Sequence, residues 1–243
     1  MAAGDETAVK LWVGTSGYSY KAWLGSFYPE RLAAKDMLPY YASRLPAVEI
    51  NNTFYRLPKK SVLQNWAEQV PAEFRFVLKA PQRITHQKRL KDADAEVAYF
   101  FSAATALDAH AGAVLFQLPP YLRKNLPTLE SFLSLLPAER AVAFEFRHAS
   151  WLDDEVFQCL REHNRALCLA ETDDTEFPAL VSTASWGYLR LRRAQYSRAD
   201  LLSWKKLIQS QPWDHAYVFF KHEDEGIGPK LAGEFLGLNN SQS

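Results

Sequence analysis

The 243-residue sequence is poor in cysteine, has no net charge and contains no long apolar run. Its two cysteines, Cys159 and Cys168, match neither C-x-x-C nor a zinc spacing, so both are expected to be reduced and structural. Basic and acidic residues balance at 28 each, which removes a global electrostatic case for binding nucleic acid or anionic membrane. No run approaches the roughly 20 apolar residues of a membrane span, and residues 1–10 lack the apolar core of a signal peptide. A cytoplasmic protein without a membrane partner is expected.

Several catalytic signatures are also missing. The first predicted strand is not followed by G-x-G-x-x-G, and residues 14–17 lack the lysine of a phosphate-binding P-loop. There is no G-x-S-x-G elbow of a serine hydrolase and no H-E-x-x-H or H-x-H metal pair. No cofactor is therefore expected. A divalent metal stays open as an alternative, with these candidate ligands: His86, His148, His222, Glu49, Glu145, Glu171 and Asp173.

Strand-like and helix-like segments alternate from end to end. About eight repeats, spaced by roughly 30 residues, are typical of a single (β/α)8 TIM-type barrel of the α/β class. An open doubly wound sheet is the alternative. The barrel domain is expected over residues 11–237, between flexible segments 1–10 and 238–243, with an irregular connection or short helix after strand six. Strands are predicted to begin near Leu11, Ala47, Phe74, Gly112, Ala141, Ala166, Trp186 and His215.

Charged or amide residues end several of the predicted strands in matched register. In residues 141–147 the odd positions read Ala, Ala, Glu, Arg and the even positions Val, Phe, Phe. Because side chains alternate between the two faces of a strand, the small and charged row suits a narrow barrel interior and the bulky row should face the helices. The charges then fall at the carboxyl ends of the strands, where barrel enzymes place their chemistry.

A set of ordered motifs resembles a known family. Residues 14–20 (GTSGYSY), 48–58 (VEINNTFYRLP), 115–120 (LFQLPP) and 144–148 (FEFRH) are similar to segments of the YecE-like family, domain-of-unknown-function family 72. The resemblance covers nearly the whole chain and implies a TIM-type barrel. It implies no agreed reaction or cofactor. Two segments depart from the family pattern: Arg192 and Arg193 replace a His-Gly pair after strand seven, and Lys221 and His222 replace a pair of asparagines after strand eight.

The strand ends predict a polar site with more cations than carboxylates, which favours a small anionic ligand. Glu49 and Glu145 are the candidate acid and base, and Lys79 is a candidate clamp or Schiff-base nucleophile. Loops after strands seven and eight commonly hold phosphate in barrels, which points to the arginines there. The candidate binding residues are Ser16, Tyr18, Asn51, Tyr55, His86, Gln117, Arg147, Trp151, Arg190, Arg192 and Lys221.

Three interpretations stay open at this point. The first is an enzyme that uses acid/base chemistry on a small phosphorylated or sugar-like metabolite. The second is a barrel that binds such a ligand, or a partner, without turnover, its charges forming a structural ion-pair network of Lys79 and Arg147 with the two glutamates. The third is a nucleic-acid-associated protein, for which Lys88, Arg89 and Lys91 are the only local hint, and it is the least favoured.

Overall fold

Eight parallel strands close into a barrel in sequence order in a computed structural model, which describes residues 8–173, 180–221 and 225–238. This confirms the (β/α)8 prediction, and all eight strands begin within one residue of the predicted positions. The expected flexible segments lie mostly outside the described residues. The strands are β1 (Lys10–Ser16), β2 (Ala47–Ile50), β3 (Arg75–Lys79), β4 (Ala111–Gln117), β5 (Val142–Glu145), β6 (Ala166–Glu171), β7 (Trp186–Leu191) and β8 (His215–Phe220).

Seven α-helices surround the strands in the described part of the chain. They are α1 (Met37–Ala42), α2 (Lys60–Glu68), α3 (Asp94–Ala104), α4 (Leu126–Leu133), α5 (Asp154–Glu162), α6 (Arg198–Gln209) and α7 (Ile227–Gly237). Local sequence explains several of their first turns. Ser197 and Asp200 form a reciprocal capping box at α6, and the Asp153 side chain accepts a hydrogen bond from the Glu155 amide at α5. These caps satisfy backbone amides that the helix itself leaves unpaired.

The two rows of β5 face the two sides that its alternation predicts. Ala143 packs in the inner apolar cluster of the barrel, whereas Val142 and Phe144 pack in the outer cluster with the helices. Glu145 continues the inner row and lies beside Gln117 in the β4–β5 register. The inner row therefore carries small side chains at its centre and charged side chains at its carboxyl end. We call the carboxyl end of the barrel interior the mouth.

The barrel is least regular around β6. No α-helix lies in the described residues between β6 and β7, which are 172–173 and 180–185. The sequence predicted an irregular connection or a short helix there, and residues 174–179 of this connection lie outside the described residues. The β5–β6 register contains two pairs and ends at Phe144 and Leu167. The β6–β7 register, by contrast, continues to Glu171 and Leu191. Beyond Phe144, β5 and β6 therefore separate toward the mouth.

Candidate active site at the barrel mouth

Glu49 is the most completely enclosed charged group of the mouth. Its side chain is fully buried, and its Oε1 accepts hydrogen bonds from Ser16 Oγ (2.7 Å), Asn51 Nδ2 (3.1 Å) and Arg190 Nη2 (2.7 Å). Its Oε2 accepts one from the Tyr188 hydroxyl at 2.6 Å. Four donors from four different positions on β1, β2 and β7 hold this carboxylate in one orientation.

Glu145 is held by three arginines. Its Oε1 accepts from Arg147 Nε at 3.0 Å, and its Oε2 accepts from Arg190 Nη1 at 2.5 Å and Arg192 Nη2 at 3.2 Å. The carboxylate is 2% exposed, whereas the Arg147 side chain is 39% exposed. Arg147 therefore neutralises Glu145 from the more exposed side of the mouth.

Arg190 bridges the two glutamates. Its side chain is 3% exposed, with one terminal nitrogen on each carboxylate. Burial alone would lower the pKa of Arg190, but Glu49 and Glu145 outweigh that penalty and raise it, so the guanidinium stays charged. A buried ion-pair network exists here, as the second interpretation required. Its centre is Arg190, however, and Lys79 forms no ion pair within residues 8–173, 180–221 and 225–238.

Lys79 lies at the end of β3, half-buried, with its Nζ 4.3 Å from the centre of the Phe54 ring. Burial, and next the positive charge of Arg190, lower the pKa of Lys79 to about 8 against the opposing attraction of Glu145 and Glu49. His86 packs edge-to-face on the same Phe54 ring at 4.9 Å. Burial and the charge of Lys79 lower the pKa of His86 as well. The mouth thus contains an amine that is partly neutral near pH 7, close to an imidazole.

The other candidate binding residues differ in how deeply they are buried. Gln117 is buried beside Glu145. Tyr18 is half-buried and packs on Tyr41 at 6.2 Å, and burial raises its pKa. Tyr55 is 75% exposed. Trp151 is 1% exposed and donates its indole N–H to the Leu122 carbonyl at 2.7 Å, so it connects the loop after β5 to the loop after β4.

The basic residues after β7 and β8 do not all face one site. Arg192 reaches Glu145, but Arg193 lies 3.6 Å from both Glu171 and Asp200. Glu171 also accepts from the Tyr196 hydroxyl and the Trp204 indole, outside the barrel. Lys221 is exposed at the end of β8, and His222 lies outside the described residues. Of the arginines predicted to bind an anion, Arg147 and Arg192 are therefore the ones that lie at the mouth and line its cavity.

Two further alternatives gain no geometric support. Within residues 8–173, 180–221 and 225–238, no three histidine, cysteine, aspartate or glutamate side chains come together as metal ligands. Of the basic run near His86, Lys88 Nζ is paired with Glu96 at 2.9 Å, and Arg89 lies over Tyr121 at 5.7 Å.

Within residues 8–173, 180–221 and 225–238, no helix has the length and apolar character that crossing a bilayer requires.

A cavity of about 790 Å³ opens from the mouth. Glu145, Arg147 and Arg192 line one part of it, and another part extends into the gap between β5 and β6. Both faces of β6 contribute, Cys168 and Ala170 from the inner row and Leu167 and Leu169 from the outer row. Sequence reasoning did not find this cavity, because its position depends on where the β5–β6 register ends.

Sequence reasoning also missed Tyr188, which is fully buried and donates to Glu49. Burial, and next the charge of Glu49, raise its pKa, so the phenol keeps its proton for that bond. The signal was present in the alternation of β7, because Tyr188 shares the inner row with Arg190 and Arg192.

Comparison with known proteins agrees with this architecture. A family model described as "Protein of unknown function DUF72" matches residues 12–243. The UPF0759 protein YecE of Escherichia coli K12 is 34% identical over 139 residues, which are 57% of this chain and 48% of that protein. The UPF0759 protein YunF of Bacillus subtilis 168 is 26% identical over 157 residues, 61% of this chain and 54% of that protein. The matched stretch is thus about half the length of these curated relatives.

Solved structures give the same result over nearly the full chain. A DUF72 family protein from Thermotoga maritima MSB8 superposes with a TM-score of 0.79 at 25% identity, covering 93% of this chain and 98% of that one. A DUF72 family protein from Enterococcus faecalis V583 superposes with a TM-score of 0.77 at 19% identity, covering 94% and 96%, and this likeness concerns the fold alone. With a family model that matches residues 12–243 and a barrel shared with these structures, the chain belongs to the DUF72 family.

Proposed function

We propose that the protein is an enzyme that acts on a small anionic carbonyl metabolite, with Lys79 as its reactive amine. The observation that carries the proposal is the contrast between Lys79 and the two glutamates. Lys79 is half-buried, has no ion-pair partner among the described residues, and has a pKa lowered to about 8. Perturbed lysines of this kind in a cleft at the carboxyl ends of barrel strands are typical of catalytic sites.

The charges of the mouth favour an anionic substrate. Four cations, Lys79, Arg147, Arg190 and Arg192, surround two carboxylates, so the cluster carries an excess of positive charge among the described residues. Arg190 is occupied on both terminal nitrogens. Arg147 and Arg192 each make one bond to Glu145 and have further N–H groups for a phosphate or carboxylate. A substrate anion bound there would lie in the same cluster as Lys79.

Glu49 and Glu145 act as positioning residues in this proposal. Each accepts at least three hydrogen bonds and is at most 2% exposed. A proton donor or acceptor must reach the substrate. Glu49 is fully buried, and Glu145 meets the cavity but has both oxygens bonded to arginines, so both are poorly placed for that. Their charge instead fixes Arg190, whose own charge contributes to the lowered pKa of Lys79.

The neutral amine can attack a carbonyl carbon. A pKa of about 8 leaves about a tenth of Lys79 neutral at pH 7, a far larger share than the unshifted value of 10.5 allows. Nζ adds to the carbonyl carbon and its proton moves to the oxygen, which gives a neutral carbinolamine. Its hydroxyl takes up a second proton from solvent and leaves as water, and the resulting iminium withdraws electrons from the neighbouring carbon. His86, whose pKa is lowered, is the base that accepts the proton released there.

Reductive trapping tests the proposal directly. The protein would be incubated with phosphorylated sugars, sugar acids and keto acids, reduced with borohydride, and digested for mass spectrometry. The expected result is an adduct on Lys79 with one anionic class, lost in Lys79→Met and retained in Lys91→Met, a control at an exposed lysine. Arg147→Met and Arg192→Met should raise the concentration needed for trapping by about tenfold or more.

A second candidate is a barrel that binds the anion without turnover. The saturation of both carboxylates favours it, because the network is complete without a substrate. Trapping separates the two. Anion binding that depends on Arg192, with no adduct from any carbonyl compound and no change in Lys79→Met, would support binding alone and contradict the enzyme.

A further inference from the structure

We infer that the ligand of the mouth is amphipathic: an anionic head group at Arg147 and Arg192 carries an aliphatic chain that lies in the cavity between β5 and β6. The inference rests on the proposed anionic ligand and adds its chemical class. Three observations carry it, namely the continuity of the cavity with the mouth, the division of its walls into a cationic end and an apolar end, and its length.

Continuity follows from the split between the strands. The β5–β6 register ends at Phe144 and Leu167, so the barrel wall is open above this point. Inner-row Cys168 and outer-row Leu169 line the same cavity. In a closed barrel wall, side chains of the two rows face different compartments. A ligand can therefore extend from the inner mouth to the outer side of β6 without leaving the cavity.

The walls change character along this path. At the mouth they include Arg147 and Arg192, and the Nε of Arg192 is buried without a hydrogen-bond partner within the described residues. On the outer side they are Leu167, Leu169 and Leu180, with the half-buried ring of Phe157. Specific sites commonly combine apolar walls with a few polar groups that fix orientation. The arginines would fix the head group and the leucines would cover the chain.

The cavity is long enough to hold an alkyl chain. Trp213, which lines the far end, lies against Gly187 near the start of β7, where a Cβ would approach its ring within 2.2 Å. Arg192, at the other end, follows the last residue of β7. Five residues of strand separate these positions, which is roughly 16 Å at about 3.3 Å per residue. The cavity of about 790 Å³ is thus long enough for an extended alkyl chain and wider than one such chain.

A homologous series of n-alkyl phosphates, from methyl to decyl, tests the inference by calorimetry below their aggregation concentrations. Affinity should rise by about fourfold for each added methylene, since one buried CH₂ is worth about 0.8 kcal/mol, until the chain fills the cavity. Leu180→Trp places an indole in the cavity and should abolish the rise while methyl phosphate binds unchanged. Val62→Trp, at an exposed aliphatic residue of α2, is the matched control and should keep it.

Val181→Trp, from the same wall, replaces Leu180→Trp if circular dichroism shows that the first variant does not fold. A chain-length dependence that persists in the folded cavity variant would overturn the inference, because the chain would then lie elsewhere. So would short phosphates that bind through Arg192 with no chain-length dependence, a result that leaves the proposed function intact. If the proposed function fails instead, neutral n-alkyl alcohols show the same dependence, Arg192→Met changes nothing, and no adduct forms on Lys79.

Discussion

One end of the barrel interior is filled with aromatic side chains and the other with charged side chains. At the amino end of the strands, Trp12, Trp186 and Tyr217 fill the interior with ring contacts of 6.0–6.5 Å, and Lys10 and Arg75 lie over the outer edge of this layer at Trp12. At the carboxyl end, the same interior rows hold Glu49, Glu145 and Arg190, buried nearly as completely.

This difference separates what stabilises the barrel from what the barrel supports. Burial of aromatic area at the amino end is favourable by itself. Burial of an Arg190 bridge between two glutamates at the mouth incurs a desolvation penalty that the ion pairs only partly offset. This arrangement is unfavourable for stability, but in the proposed function it keeps positive charge in the mouth for an anionic substrate.

The largest expected effect comes from removing the cation at the centre of the mouth. Arg190→Met should lower the free energy of unfolding by about 3–5 kcal/mol, because Glu49 and Glu145 would remain buried without their shared partner. Urea denaturation followed by tryptophan fluorescence measures this. A loss below 1 kcal/mol would mean that the two carboxylates find other compensation and that the bridge is not structural.

The next change removes the whole network. A variant with Met at positions 49, 145 and 190 should be at least about 2 kcal/mol more stable than Arg190→Met alone, because apolar replacement of a complete buried ion network is often neutral or stabilising. The same denaturation experiment compares the two variants. Equal stabilities would show that packing, and not uncompensated charge, causes the loss in Arg190→Met.

One hydroxyl sharpens the comparison between the two ends. Tyr188→Phe removes the 2.6 Å hydrogen bond to Glu49 and should cost about 1.5–3 kcal/mol, the usual range for a bond to a charged group. Tyr217→Phe makes the same change at the amino end, where the ring neighbours are Trp12 and Phe219, and should cost less. Equal losses, measured by calorimetric unfolding, would contradict the distinction between the two layers.

The smallest effect has the opposite sign. Lys79→Met should raise the free energy of unfolding at pH 7 by about 1 kcal/mol, or Tm by about 2–4 °C, after allowance for solvent screening around a half-buried amine. The folded pKa of about 8 lies below the unfolded 10.5, so the unfolded chain binds more protons between these values and wild-type stability rises with pH there.

The pH dependence provides the control for this variant. The gain from Lys79→Met should be complete below pH 8 and should fade toward pH 10.5, as the wild-type amine loses its proton in both states. Denaturation midpoints of the two proteins at pH 7 and pH 10 test it. A gain that is equal at both pH values would reflect better packing of Met on Phe54 and would not support a perturbed amine.

Local sequence patterns were sufficient for the strands and their orientation. The alternation of residues 141–147 predicts that Glu145 faces inward with Ala143, and both do. It works because a strand in a closed barrel has one narrow inner face and one face against helices, so residue size and polarity separate by parity. The Ser197 and Asp200 capping box was readable for a similar reason, since its partners lie three residues apart.

The pairing within the mouth was not readable from sequence. Arg190 and Glu49 are 141 positions apart, and the sequence offered Arg147 and Lys79 as equally plausible partners. Only the barrel closure and the register of β7 decide which cation reaches which carboxylate. The cavity between β5 and β6 depends in the same way on where two registers end.

The sequence by itself determined the eight-stranded barrel, the inner row of β5 and the collection of charges at one end, because these depend on alternation and order along the chain. Tertiary structure alone decided that Arg190 occupies both glutamates, that Lys79 is left half-buried beside Phe54, and that the wall opens at β6. Charge pairing and desolvation depend on distances in space between residues far apart in the chain, and no local pattern encodes those distances.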